Sequence, residues 1–79
     1  MDTTAATVRK VIAEVSAVDI ASVTDDTRLV DDLELDSIEL VNVAMDLEES
    51  LDVEILDSEI SAAMTVGQVI DAVKKIKGV

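Results

Sequence analysis

Three stretches of the chain repeat their aliphatic residues at helical spacing, and this periodicity limits the possible folds more than any other feature. Val8, Val11, Ile12 and Val15 recur at i, i+3, i+4 and i+7. Leu40, Val43, Ala44, Leu47 and Leu51 do the same in the middle, as do Val66, Val69, Ile70, Val73 and Ile76 near the end. Residues so spaced share one face of a helix, and an apolar face must be buried. Each stretch opens on a start signal: Thr3 or Thr4 before the first, Asp36 with Glu39 before the second, Thr65 with Gln68 before the third. The last two pairs have the spacing of a capping box. Lys74, Lys75 and Lys77 followed by Gly78 suit the end of a helix, where cations meet the dipole and glycine caps. With no proline and two glycines, little interrupts these helices, and with no aromatic residue the core must be wholly aliphatic.

Between Ser16 and Leu35 the periodicity weakens. Val18, Ile20, Val23, Leu29, Val30 and Leu33 punctuate a polar run, and these aliphatics are expected to anchor a long loop across the core. After Leu51, Val53 and Ile55 alternate with acids, and Ser58–Met64 (SEISAAM) reads as one short helix that needs packing to persist. The expected fold is all-α: a four-helix bundle of three main helices and a short third one, with a long loop between the first and second. Its 79 residues are expected to form a single domain, 1–79.

A net charge of −12 argues against nucleic acid or an anionic membrane as partner and favours proteins with basic patches. Self-repulsion predicts that salt raises the melting temperature, which thermal unfolding at two ionic strengths checks. Without cysteine there is no disulfide framework, thiol nucleophile or thiolate metal site. Neither a signal peptide nor an apolar run of membrane-spanning length is evident, so the cytoplasm, or an organelle reached by a removed transit peptide, is the expected location of a monomer without membrane insertion. With no histidine either, a serine nucleophile lacks its usual base, and no glycine-rich phosphate loop or GxSxG elbow occurs. No catalytic residue is identified, and a non-catalytic protein is expected. Asp32, Glu34 and Asp36 alternate as calcium ligands can, but an EF-hand loop from Asp32 would need glycine and glutamate where Ser37 and Val43 stand. No metal site is expected.

The second helical stretch remains. Ser37 follows Asp36 at the first helical position, where the dipole is positive and backbone N–H groups lack internal partners. An anionic group attached there is electrostatically favoured. At 100° per residue, Glu39, Asn42, Asp46 and Glu49 lie opposite the buried arc, with Ile38, Val41 and Met45 as an apolar strip along their edge and Glu48 in the gap. The strip either completes the core or is displayed to a partner.

The triplet Asp36-Ser37-Ile38, followed by a helix reading IELVNVAMDLEESLDVEI in a chain of this length, charge and helix order, resembles the attachment segment of acyl carrier proteins. The likeness runs over nearly the whole chain. It implies a covalent 4′-phosphopantetheine on Ser37, placed there by a phosphopantetheinyl transferase, with Asp36 as the acid before the modified serine. It implies docking through Glu39, Val41, Met45, Glu48 and Glu49 onto basic patches of acyl-transfer and acyl-chain elongation enzymes. It also implies an acyl cavity lined by Leu47, Ile55, Ile60 and Ala63. Ile38 stands where leucine is commonest in that family, Asn42 where an acid is usual and Leu56 where many members have proline; the smaller residues at Leu51 and Ala63 imply a roomier cavity. Fatty-acid or related lipid synthesis is the expected pathway. Polyketide, non-ribosomal peptide or aminoacyl carriage is the alternative, and an unmodified acidic interaction module is the alternative of another class.

Overall fold

The computed structural model describes residues 3–55, 60 and 64–78. Among them are three α-helices, α1 (Thr4–Ser16), α2 (Ser37–Leu51) and α3 (Val66–Lys77), with a short 3-10 helix at Ile20–Ser22. The expected main helices are all present, and α1 packs against both α2 and α3. The short helix expected at 58–64 falls, apart from Ile60 and Met64, outside the described residues.

The buried faces are those set by periodicity: Val8, Val11 and Ile12 from α1, Val43 and Leu47 from α2, and Val66, Val69, Ile70 and Val73 from α3. Burial of each such side chain contributes about 1.5–3 kcal/mol, which is how a core without rings holds. Helix α3 starts on the expected capping box, Thr65 with Gln68, and ends on Gly78 in the left-handed region at φ 81° with three lysines in its last turn. Helix α1 differs. Thr3 occupies its N-cap position without a side-chain capping bond, and Thr4, the first helical residue, is buried.

The long loop is anchored by only some of its aliphatics. Val23, Leu29 and Leu35 are buried, whereas Val18 and Ile20 are exposed. The reason lies at the end of α1. Ala17 takes the left-handed conformation (φ 58°), Val18 N–H returns to Ala13 O, and Asp19 caps the 3-10 turn, so both aliphatics ride on a turn outside the core. Further on, the loop closes the start of α3. Val66 N–H donates to Thr27 O at 2.8 Å, Gly67 N–H to Asp25 O at 2.9 Å, and Leu29 N–H to Met64 O at 3.2 Å. Gly67 suits this approach, because a Cβ there would lie 3.1 Å from Asp25 O and press the loop back by a few tenths of an ångström.

Candidate functional site

The loop delivers the start of α2 on a fixed foundation. Leu35 is buried and its N–H bonds Leu29 O, while Glu34 makes the preceding turn at φ 56°. Arg28 N–H donates to the Asp32 carboxylate at 2.8 Å, and Asp32 and Leu33 N–H both return to Arg28 O. That backbone hydrogen bond, with the Arg28 side chain beside it, holds the Asp32 carboxyl below its ordinary range.

Asp36 is extended and forms the predicted capping box in full. Its Oδ1 accepts from Glu39 N–H at 2.8 Å, and Glu39 Oε1 accepts from Asp36 N–H at 3.1 Å. Leu40 N–H reaches Asp36 O at 2.9 Å, closing the first turn. Ser37 follows as the first helical residue and is exposed. The helix itself offers no carbonyl to the N–H groups of Ser37 and Ile38. Because the neighbouring carboxylates already accept backbone N–H bonds, the residues present fit an anionic phosphodiester on Ser37 Oγ, with the dipole in its favour.

Along α2 the two faces separate as the sequence indicates. Leu40, Ala44 and Leu51 pack partly buried beside Val43 and Leu47. Ile38, Val41 and Met45 are 71, 52 and 57% exposed, so the strip is displayed and does not complete the core. Asn42, Asp46 and Glu49 flank it in solvent, while Glu39 and Glu48 are half-buried. Glu48 holds a contact that the sequence does not announce: its Oε2 accepts the N–H of Ile55 at 2.9 Å, seven residues on.

Of the residues expected to line a cavity, Leu47 and Ile55 are buried in the core and Ile60 packs partly buried against it. Ala63 lies outside the described residues. A groove of about 410 Å³ opens elsewhere, between α1, the loop and α3, where Arg9 faces Asp25 at 3.5 Å. It is polar and takes none of those lining residues. The carboxylates of Asp32 and Asp36 are engaged by Arg28 and by Glu39 N–H, and among the described residues no three acids gather as a metal site would require. No described helix is long and apolar enough to cross a membrane.

The family model for the phosphopantetheine attachment site matches residues 6–73. An acyl carrier protein of Thermotoga maritima is 35% identical over 71 residues, covering 90% of this chain and 88% of its own. One from Desulforapulum autotrophicum is 41% identical over 71 residues, 89% of this chain and 92% of its own. A meromycolate extension acyl carrier protein of Mycobacterium leprae is 31% identical over 70 residues, 89% of this chain and 61% of its own.

Proposed function

The chain belongs to the phosphopantetheine-binding family of acyl carrier proteins, and on that premise we propose that Ser37 Oγ is the attachment point of its arm. What carries the reading is the position of Ser37: exposed, first in α2, and set directly after a cap that both of its acids hold. When bound, 4′-phosphopantetheine supplies a terminal thiol on which acyl groups travel as thioesters in lipid biosynthesis. The chain's residues supply the address. Asp36 and Glu39 hold the first turn rigid, so that Ser37 meets a transferase in one orientation. In the loading step a bond forms between Ser37 Oγ and phosphorus, the pyrophosphate bond of coenzyme A breaks with adenosine 3′,5′-bisphosphate as the leaving group, and the serine proton passes to the transferase.

Docking falls to the displayed side of α2. Ile38, Val41 and Met45 give a partner an apolar strip, and Glu39, Asp46 and Glu49 meet its basic groups. Leu47, Ile55, Ile60 and Ala63 are the residues through which an acyl chain would enter the core. The family is generally a non-catalytic carrier, and this chain is read in the same way, as a single carrier domain acting in the cytoplasm. The test is intact mass after incubation with coenzyme A and a broad-specificity phosphopantetheinyl transferase. The parent is expected to gain one phosphopantetheinyl group and Ser37→Ala none. No gain in a folded parent, or a gain in the variant, overturns the assignment.

A further inference from the structure

Glu48 lies between the buried and displayed faces of α2, and among the described residues its hydrogen bonds past the end of that helix are directed at one short segment. Its carbonyl takes the N–H of Asp52 and, at 3.3 Å, that of Val53. Its carboxylate takes the N–H of Ile55 at 2.9 Å. Asp52, in the left-handed region at φ 54°, turns the chain back so that these groups meet. Ile55 is 7% exposed and belongs to the same core cluster as Leu47. A backbone N–H taken into the core needs an acceptor, and a carboxylate is a stronger one than a neutral oxygen.

We propose that Glu48 is a positioning residue that seats Ile55 in the core, and that it stands outside the set of acids through which the outer side of α2 meets a partner. Resemblance places Glu48 among docking acids beside Glu49, but the residue is half-buried and its carboxylate bonds its own chain. Glu49 and Asp46 are exposed, three positions apart, and so adjacent on the helix surface. The second half of the proposal rests on the carrier reading above; the first does not.

Ile55 requires an acceptor first, and the charge only strengthens it. Glu48→Gln keeps an acceptor oxygen at the same reach and loses the charge, whereas Glu48→Ala loses both. Amide hydrogen exchange followed by NMR reads the Ile55 N–H directly. Exchange at Ile55 is expected to stay slow in Glu48→Gln and to quicken roughly tenfold in Glu48→Ala, about what one lost hydrogen bond allows. With the transferase as probe, KM for the apo protein is expected to hold in Glu48→Gln and to rise several-fold in Glu49→Gln. Unchanged Ile55 exchange in Glu48→Ala overturns the seating role. A KM rise in Glu48→Gln equal to that in Glu49→Gln returns Glu48 to the docking set. Absence of loading in the folded parent overturns the carrier reading and the docking half with it, while the Ile55 measurement is read without any partner.

Discussion

Replacing Asp36 tests how the start of α2 is built, and the outcome can be worked out from two hydrogen bonds. Asp36 Oδ1 accepts Glu39 N–H at 2.8 Å, and the return bond runs from Asp36 backbone N–H to Glu39 Oε1. Asp36→Ala removes only the first, because the second uses the main chain. Loss of an N-cap acceptor costs about 1 kcal/mol, and loss of the negative charge at the helix start adds roughly 0.3–1 kcal/mol at low salt. For a chain of this size about 1 kcal/mol corresponds to ~4–8 °C in Tm. Asp36→Ala is therefore expected to lower Tm by roughly 5–16 °C, and Asp36→Asn by a few degrees, since asparagine caps as well as aspartate. Thermal unfolding by circular dichroism gives both values, and amide exchange at Glu39 reports the bond itself. Equal damage from asparagine and alanine, or no damage from alanine, would refute the capping argument. If the charge is also part of recognition, Asp36→Asn should be nearly as stable as the parent and yet load poorly with phosphopantetheine.

Three further outcomes arise from the core, the helix ends and the loop. Leu47 is fully buried, so Leu47→Ala is expected to cost about 2–5 kcal/mol out of a total of roughly 4–12 kcal/mol; denaturant unfolding that shows less than ~1 kcal/mol would mean that the site can collapse. Ala17 holds a left-handed conformation that costs a non-glycine residue ~1–2 kcal/mol, partly offset by glycine's ~0.4–1 kcal/mol of extra unfolded-state freedom. Ala17→Gly should therefore raise Tm by a few degrees, and a fall would contradict the φ of 58°. Asp32 has its carboxyl held below the ordinary 3.8, so its contribution is present above that pH and is lost as pH falls through the lowered value. Asp32→Asn should accordingly flatten the acid limb of the stability–pH profile, measured by urea unfolding between neutral pH and pH ~2.

What the sequence made legible was local. The capping box at Asp36 and the buried arc of α2 depend on residues within one or two turns of each other, where helical geometry fixes the neighbours, whereas the strip of Ile38, Val41 and Met45 was legible as a strip and not as a displayed one. The loop was legible as a loop, but its anchors were not. Val18 and Ile20 read no differently from Val23 and Leu29, and the choice among them is made by distant partners. Leu29 is held by Met64 O, and Thr27, between Val23 and Leu29, is held by Val66 N–H. The contact made by Glu48 is hidden for the same reason. A helical projection puts it at an outward edge, and only the turn at Asp52 brings Ile55 N–H within its reach. An aspartate just past a helical run does tolerate the left-handed region, and that was the one available signal.

The acids of this chain thus divide by what their oxygens face. Asp19, Asp32, Asp36, Glu39 and Glu48 each accept a backbone N–H at the end of a helix or turn. In a small core with no aromatic ring, such bonds fix the ends of elements without needing further buried area. Asp46 and Glu49 face solvent beside Val41 and Met45. Amide substitution separates the two groups, because asparagine and glutamine keep an acceptor oxygen and discard the charge. Acids that only fasten the chain should tolerate it, whereas acids that address a partner should not; Glu39, assigned both roles, should keep its cap and lose its partner contact. A net charge of −12 is therefore not one property of the surface. Part of it is structural hydrogen bonding that happens to be ionised, and part is exposed carboxylate, on the outer edge of α2 (Asp46, Glu49) and on the loops (Asp25, Asp26, Asp31, Glu34).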